Sequence, residues 1–583
     1  MLRRIGHRGP DGHGFFEGEG IGLGHRRLAV VDLSSAGAQP MTSHDGRWTI
    51  AFNGEIFNYP ELRSQLGAIP WRSASDSEVL LEACAAWGVD AAIQRSVGMF
   101  AFALWDAREQ ELMLVRDRVG EKPLVYWEGT LEGRPVLAFA SEMKALHGWH
   151  AGTVDPEALD VYLALGYVPA PLGIFRGTRK LPAGHLVQWK QGWLQCRRWW
   201  FPERSRLEQP VRDARRVQEI SSRNGATERA EQLRALVSDA VRLRLRSDVP
   251  VALALSGGLD SSVVAIEMAG QGVWPWAFTV IFGTDQTDLP YARLLAARLG
   301  LKHEVLQAEN ADLATQLQDA VAEFDEPFAD SSAVPALALA RAVAGHYRVI
   351  LDGDGGDEAF GGYRHYEFIG VKQAAKTCAA AVGLRDGCGR TGVYVQSKST
   401  FRAGERACLL GSYPGASGCR AGGPKDALAR WIEVDEFHRV APAKALKRAL
   451  WSDRHLYLPN DLTYKMDLAL ASQGVEGRAP LLDHRILEWS QNLADRDLVR
   501  CWRKKVLLRR AYQAELPSGI AARPKHGFGA PVLEWLNGPL KQLVGDLLPC
   551  PILATGPQRR VRGQRLWTLL ILAQWARQWR ASW

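Results

Sequence analysis

The chain has 583 residues, which predicts roughly two to four domains rather than one. A hydrophobic content of 46% excludes an intrinsically disordered protein. Lys and Arg residues (72) exceed Asp and Glu residues (64) by 8, an excess too small to indicate a nucleic-acid partner, and none is expected. Three arginine-rich stretches, residues 197–216, 503–510 and 559–565, are interpreted as solvated surface.

The cysteines and the N-terminal residues bear on the compartment. None of the eight cysteines lies in a C-x-x-C pair, which excludes the usual spacing of zinc sites and thioredoxin-like enzymes. The first residues are charged where a signal peptide is apolar, and no apolar run approaches the roughly eighteen residues of a membrane span. We therefore expect a cytoplasmic protein with reduced thiols and no membrane partner.

The first 150 residues predict an α+β domain with substantial antiparallel sheet. Short β-like runs occur at 28–33, 48–52, 99–105 and 111–116, and a helical pattern covers 77–87. The runs GMFAFALWD and ELMLVRD are separated by AREQ, which predicts two strands facing each other across a turn.

The texture of the sequence changes after a polar, charged stretch at 201–227, which is interpreted as a linker between domains 1–200 and 228–583. Helical segments then alternate with short apolar strands, which predicts a parallel α/β sheet. The helices are expected at 228–245, 262–269 and 291–299, and the strands at 249–255, 276–281 and 349–351. Residues 383–423 are interpreted as loop or irregular helix, and 566–579 as an amphipathic helix.

A serine- and glycine-rich loop is the most informative stretch of the chain. An apolar run enters the string SGGLDSS, which begins at Ser256, and a helical pattern leaves it. Its glycines allow backbone N–H groups to approach an anion, and the helix presents its positive end, so the loop suits a phosphate group. Asp260 would repel that phosphate unless a cation lay between them, which suggests magnesium. The alternative is a Gly-Gly turn without a ligand.

Two further loops carry charged residues with glycines. The run VILDGDGGDE, starting at Val349, ends in four carboxylates, and Asp357 is predicted as a second magnesium ligand; an exposed acidic turn is the alternative. In RPKHGFG, Lys525 could neutralise charge developing on a phosphoryl group, although the loop taken alone favours an ordinary surface lysine.

These loops occur in order with DEPFADSS (325–332) and GVEGRAPLLD (474–483) between them, and the set resembles the synthetase half of glutamine-dependent asparagine synthetases. The first 150 residues independently resemble the glutaminase half of that family. The strings that carry this second resemblance are HRGPD, GHRRL, QPM, NGEIFN, SDSE, GMFAF, RDRVG and ASEMK.

The resemblance implies an N-terminal-nucleophile (Ntn) hydrolase-type αββα glutaminase domain followed by an adenine-nucleotide α-hydrolase-like, ATP-pyrophosphatase domain. In such enzymes ammonia released from glutamine reaches the second domain, where ATP and Mg²⁺ activate the aspartate β-carboxylate as an acyl-adenylate. Ammonia then gives asparagine, AMP and pyrophosphate. A homodimer is plausible by the same resemblance.

Residue roles follow from the same resemblance. Arg27 matches the residue that binds the glutamine carboxylate, Asp76 the one that binds its amino group, and Asn53 with Gly54 the oxyanion hole; a type I′ turn is the alternative for this pair. The implied glutamine pocket comprises Arg27, Leu28, Val30, Asn53, Gly54, Glu55 and Asp76. The implied ATP site comprises Leu255, Ser256, Gly257, Gly258, Asp260, Ser261, Val280, Asp352 and Gly353, with metal ligands Asp260 and Asp357 and catalytic residues Gly353, Asp354 and Lys525.

The sequence departs from the family pattern in two places. The family nucleophile is a cysteine directly after the initiator Met, whereas Leu2 stands here and no cysteine precedes Cys84, a poor substitute within an apolar helical pattern. The expectation is a chain that starts at an internal Met, without glutaminase turnover and dependent on ammonia. Asp352 replaces the usual serine, and its carboxylate is expected to weaken nucleotide binding.

Three hypotheses for function stay open. The first is asparagine synthesis. The second keeps the chemistry but changes the acceptor, as in ring-closing β-lactam synthetases or a cell-surface polysaccharide pathway. The third is a different class of protein, either a non-catalytic binding protein or a basic RNA-modifying pyrophosphatase.

Overall fold

The computed structural model describes residues 1–201, 225–282, 287–308, 313–367, 369, 398–411, 444–500, 502–523, 530–548 and 559–581. Most of the predicted linker, most of residues 383–423 and the loop with Lys525 lie outside these described residues. Within them, no helix is long and apolar enough to cross a bilayer.

Antiparallel sheets dominate the first half of the chain, as predicted. Strands β3, β4, β5, β6, β10 and β11 form one sheet, β7 pairs with β8 and β9, and β1 forms a hairpin with β2. The strands are β1 Gly12–Gly18, β2 Ile21–Arg27, β3 Met41–Thr42, β4 Trp48–Ile56, β5 Gly98–Asp106, β6 Glu111–Arg116, β7 Val125–Leu131, β8 Arg134–Ala140, β9 Thr178–Lys180, β10 His185–Lys190 and β11 Trp193–Arg198. The helices are α1 Tyr59–Leu66, α2 Asp76–Trp87, α3 Val89–Arg95 and α4 Pro156–Leu165, with 3₁₀ turns at Leu2–Arg8, Ser35–Gly37 and Met143–Leu146.

Strand β5 shows why this half is layered. Alternate side chains of a strand point to opposite faces. Phe100 and Phe102 pack into a core shared with α2, whereas Ala103 and Trp105 pack into a second core shared with the sheet of β7. Both faces of the strand are therefore buried, one under helices and one under a second sheet, in keeping with the expected layered fold.

The predicted strand at 28–33 is wrong. Strand β2 ends at Arg27, and the residues after it form an irregular loop with Asp32 at a φ of 56°. Val30 and Val31 pack into the core of the second half of the chain, and the Val30 carbonyl accepts the N–H of Asp248 at 2.9 Å. The two valines are buried against the second half, so the hydrophobicity of the run does not indicate a sheet.

The second half contains the predicted parallel sheet, in the order β14-β13-β12-β15-β16. Its strands are β12 Val251–Ala254, β13 Ala277–Phe282, β14 His303–Ala308, β15 Val349–Leu351 and β16 Glu476–Arg478, and a separate hairpin joins β17 Val499–Arg500 to β18 Arg503–Lys504. Because β12 is followed by β13 on one side and has β15 on the other, the strand order reverses there, and ligands of open parallel sheets bind at such a point.

Helices surround this sheet. They are α5 Ala226–Arg244, α6 Leu259–Gly270, α7 Leu289–Leu299, α8 Leu313–Glu323, α9 Ala333–Ala344, α10 Gly356–Phe360, α11 Ala403–Gly411, α12 Ala445–Ser452, α13 Thr463–Ala471, α14 His484–Ser490, α15 Asp495–Leu498, α16 Val506–Ala511, α17 Ser518–Ala522, α18 Val532–Asn537, α19 Lys541–Leu547 and α20 Arg559–Trp579, with a π-type turn at Asp453–Leu462 and a 3₁₀ turn at Pro480–Leu482. The predicted helices at 228–245, 262–269 and 291–299 are confirmed with small shifts at their ends, and the predicted helix at 566–579 is confirmed but begins earlier, at Arg559.

Candidate functional site

A first pocket lies where the sheets of the first half meet the second half. It contains all seven residues expected to bind glutamine: Arg27, Leu28, Val30, Asn53, Gly54, Glu55 and Asp76. The second half of the chain contributes to its wall through Ala471, Val475 and Glu476. The two halves therefore build this pocket together.

The Asn53-Gly54 pair lies inside strand β4, so the alternative of a type I′ turn is wrong. Gly54 pairs with Phe100 of β5 and has a φ of 137°, and a β-carbon there would lie 2.0 Å from the Met99 carbonyl oxygen. Only glycine fits this position. The Nδ2 atom of Asn53 is buried without a hydrogen-bond partner among the described residues, which leaves a donor on the pocket wall.

The Arg27 guanidinium lies at the pocket wall and donates to backbone carbonyls. It contacts the carbonyl oxygens of Ser34, at 2.6 Å, and Asp32. Because these acceptors are neutral, its positive charge is available to an anionic group in the pocket.

Two buried carboxylates face the same pocket. Asp76 begins helix α2, which Ser75 caps, and its Oδ2 atom accepts the N–H of Ile56 at 2.8 Å. Burial raises the pKa of Asp76 to about 6, and burial together with the nearby Asp76 charge raises the pKa of Glu55 well above its usual value. Arg478 acts in the opposite direction on the pKa of both carboxyl groups. A cationic group entering the pocket would meet these two acids.

Cys84 cannot supply a nucleophile to this pocket. It is fully buried in helix α2, and burial raises the pKa of its thiol to about 12. The thiolate is the reactive form of cysteine, so this residue is inert near neutral pH. This environment agrees with the prediction that Cys84 is a poor substitute for the family nucleophile.

A second pocket lies at the carboxyl ends of β12 and β15. It brings together eleven of the residues expected for ATP, metal and catalysis: Leu255, Ser256, Gly257, Gly258, Asp260, Ser261, Val280, Asp352, Gly353, Asp354 and Asp357. The twelfth, Lys525, lies outside the described residues. Two loops that are distant in the sequence therefore meet at the switch point of the sheet.

The serine-glycine loop has the form of an anion cradle. Ser256 Oγ lies 2.9 Å from Ser261 Oγ and accepts the N–H of Gly258 at 3.3 Å. Gly257 has a φ of 71°, and a β-carbon there would lie 2.6 Å from the Asp288 carbonyl oxygen. Helix α6 begins at Leu259, so its first N–H groups point into the pocket.

The acidic loop is held by a hydrogen bond between two of its own residues. Asp352 Oδ1 accepts the N–H of Asp354 at 2.9 Å, a contact that a serine hydroxyl at this position could also make. Burial and the neighbouring Asp354 raise the pKa of Asp352 well above its usual value. The neutral form of Asp352 is thereby favoured, which reduces the repulsion expected from its replacement of serine.

Lys505 occupies the point where the two loops converge. Its Nζ atom contacts the carboxylates of both Asp260 and Asp357, the two predicted magnesium ligands. The Oδ1 atom of Asp260 is buried without a hydrogen-bond partner among the described residues. The two carboxylates supply hard oxygen donors and already surround one positive charge, that of Lys505. Such donors fit magnesium, which prefers carboxylate and phosphate oxygens.

Lys505 is not among the site residues predicted from the sequence, where residues 503–510 are interpreted as solvated surface. That interpretation is wrong for this residue, because its side chain is 5% exposed. The surrounding run of basic residues resembled an exposed stretch, and no pattern marked Lys505 or its neighbour Lys504, which is also buried.

Comparisons with known proteins match both halves of the chain. The family model described as a glutamine amidotransferase domain matches residues 1–200, and the one described as asparagine synthase matches residues 232–579. Glutamine-hydrolyzing asparagine synthetase 1 of Bacillus subtilis is 29% identical over 94% of this chain and 86% of its own length. A putative asparagine synthetase of Methanocaldococcus jannaschii is 31% identical over 62% of this chain and 72% of its own length.

Other relatives carry a different description. Amidase chry2 of Gibberella zeae is 27% identical over 94% of this chain and 87% of its own length. The solved structure of the allosteric regulatory enzyme of purine biosynthesis aligns with a TM-score of 0.26 and 15% identity over 53% of this chain and 76% of that chain, a likeness too weak to support a conclusion. The match of the asparagine synthase model to more than half of the sequence identifies the chain as a member of the asparagine synthase family, a carbon–nitrogen ligase with an amidotransferase domain at its N-terminal end.

Proposed function

We propose that the second pocket binds ATP with Mg²⁺ and activates a carboxylate, in the first instance the β-carboxylate of aspartate, as an acyl-adenylate. Pyrophosphate leaves in that step, and ammonia then displaces AMP to form the amide. The observation that carries this proposal is the convergence of the serine-glycine loop and the acidic loop on Lys505, at the switch point of the parallel sheet.

The nucleotide roles follow from the contacts. The loop from Ser256 to Ser261 and the N-terminus of α6 would bind phosphate oxygens. Val280 and Leu255 also line the pocket, and an adenine ring would lie against them. Magnesium would be held by Asp260 and Asp357, where it would neutralise charge on the phosphates.

Charge neutralisation around the departing pyrophosphate would come from the lysines. Lys505 is already held at the loop junction, and burial lowers its pKa while Asp260 opposes that shift. Lys525 remains a prediction for the same task. Preorganised cations of this kind stabilise negative charge that develops in a transition state.

The first pocket is proposed to bind glutamine. Arg27 would hold its carboxylate, Glu55 and Asp76 its amino group, and Asn53 with Gly54 the oxyanion. Cys84, the first cysteine of the sequence, is buried and does not line this pocket. A cytoplasmic location and a homodimer also remain predictions.

The acceptor could be a carboxylate other than aspartate. The specific observation in favour of this second candidate is the similarity, over 94% of the chain, to a fungal protein named an amidase. Both candidates use the same adenylation step, and they differ only in which acid enters the second pocket.

Pyrophosphate release tests the proposal. The purified chain is given ATP, Mg²⁺, ammonia and a panel of carboxylic acids, with product amides identified by mass spectrometry. Aspartate-dependent release that is lost in Asp260→Ala and kept in Asp90→Ala, an exposed acid of helix α3, supports asparagine synthesis. Release with another acid alone supports the second candidate, and no release with any acid contradicts both.

A further inference from the structure

Arg478 joins the two pockets through one side chain and one carbonyl group. It is completely buried in strand β16 of the second half. Its guanidinium donates to Glu55 Oε2 at 3.1 Å, in the first pocket, and to Glu476 Oε1 at 2.8 Å. Its backbone oxygen accepts the N–H of Asp352, in the second pocket, at 3.1 Å.

The Arg478 guanidinium is fixed from several sides. Its Nη1 atom donates to the backbone carbonyls of Arg244, at 2.9 Å, and Arg246, at 2.6 Å. Its Cζ atom lies 5.3 Å from the ring centre of Phe57, a fully buried side chain two residues after Glu55. A planar guanidinium held by two carbonyls has one orientation, so the Nη2–H that reaches Glu55 is preorganised.

The carboxylates around Arg478 outnumber it. Glu55 and Asp76 lie on the first half of the chain, and Glu476 reaches the same pocket from the second half. The other titratable groups that face Glu55 are Lys122 and Tyr59. Buried carboxylates of like charge stay ionised only when a cation is held close to them, and Arg478 is the guanidinium hydrogen-bonded to Glu55.

We propose that Arg478 is a positioning residue of the glutamine pocket, contributed by the synthetase half, which holds Glu55 as an oriented carboxylate for the amino group of glutamine. This inference rests on the proposed glutamine site. It adds that the site is incomplete in the amidotransferase domain alone, because the cation that orients its acid lies on the neighbouring sheet.

Glutamine binding by the whole chain, measured by calorimetry between pH 5 and pH 9, tests this role. Because no cysteine precedes Cys84, glutamine is expected to bind without being consumed. Arg478→Gln is expected to weaken binding at pH 7 at least tenfold. It should also raise the pH below which affinity is lost, because Arg478 lowers the pKa of Glu55 and Asp76.

Two further variants separate positioning from folding. Glu476→Gln removes a negative charge that raises the pKa of Glu55 and Asp76, so it should move the same pH midpoint downward. Arg406→Gln breaks a comparably buried bond, to Asp160 at 2.7 Å, outside both pockets, and should leave the midpoint unchanged.

The outcomes are distinct. Opposite shifts of the midpoint in Arg478→Gln and Glu476→Gln support the role of Arg478. If Arg478→Gln does not fold, Arg478→Lys takes its place: it keeps the charge without the planar fork, so it should weaken glutamine binding with a smaller shift of the midpoint. An unchanged midpoint in Glu476→Gln, or equal losses in Arg478→Gln and Arg406→Gln, overturns it. Absence of glutamine binding by the unaltered chain would instead overturn the proposed glutamine site itself.

Discussion

Gly353 and Ser261, from the two loops of the second pocket, lie so close together that a β-carbon on Gly353 would be 2.6 Å from the Ser261 backbone nitrogen. The two residues belong to loops that are separated by about ninety positions in the sequence. Their close approach places the N–H groups of one loop beside the carboxylates of the other, which is the arrangement that a metal-bound triphosphate requires.

This approach predicts the effect of one methyl group. Gly353→Ala should lower the affinity for Mg-ATP at least tenfold, because the added carbon pushes the acidic loop away from the start of helix α6. Gly270→Ala, at the other end of α6, adds a carbon with no atom within 4 Å and serves as the control. Fluorescence titration with a nucleotide analogue measures both, and equal affinity in the two variants would contradict the cradle.

Lys505 and magnesium are expected to compensate for each other. Lys505→Met leaves Asp260 and Asp357 without their shared cation, which should cost about 3–5 kcal/mol of unfolding free energy without metal. Magnesium should recover a larger part of that loss in the variant than it adds to the unaltered chain. Thermal unfolding with and without Mg²⁺ measures the difference, and a metal effect of the same size in both proteins would argue against a shared site.

Asp352→Ser is expected to tighten nucleotide binding. The serine hydroxyl can keep the contact to the Asp354 N–H while a carboxylate beside the phosphates is removed. Because the pKa of Asp352 is raised, its charge appears as the pH rises, so the gain should grow as the pH is raised. One repulsive charge of this kind is worth about 1 kcal/mol, or roughly fivefold in affinity. A gain that is independent of pH would indicate another cause.

Asp76→Asn should weaken glutamine binding and stabilise the protein. The raised pKa of about 6 means that ionised Asp76 costs folding free energy above that pH, whereas the protonated form, present below it, does not. Removing the charge should therefore gain at most about 3 kcal/mol at pH 7, and the gain should vanish below about pH 4. Denaturant unfolding at pH 4 and pH 7 measures this, and a variant less stable than the unaltered chain at pH 7 would refute it.

The polypeptide of residues 1–583 should release no glutamate from glutamine. Cys84 is buried with a thiol pKa of about 12, and Cys84→Ala should change neither glutamine binding nor the ammonia-dependent reaction. An enzyme-coupled glutamate assay at pH 8 tests the unaltered chain. Glutamate formation above the rate of a heat-inactivated sample would show that a different nucleophile acts.

Much of the fold was readable from local pattern. The apolar run GMFAFALWD predicted a strand, and the two glycine loops that follow apolar runs, which were expected to share one site, line one pocket. These features depend on neighbouring residues alone, because strand periodicity and backbone freedom at glycine are local properties. Membership of the asparagine synthase family likewise rests on short sequence strings that occur in a fixed order along the chain.

The remaining features arise from packing between segments that are far apart in the chain. The run at 28–33 has the hydrophobicity of a strand, but its two valines pack against the second half. Lys505 has the sequence context of a surface residue but turns inward between Asp260 and Asp357. Likewise, nothing near Arg478 in the sequence indicates Glu55 as its partner. The sequence alone settled which residues have the chemistry for phosphate, carboxylate and amide recognition, whereas only tertiary structure decided which charges meet, because the free energy of a buried charge depends on partners brought together by folding.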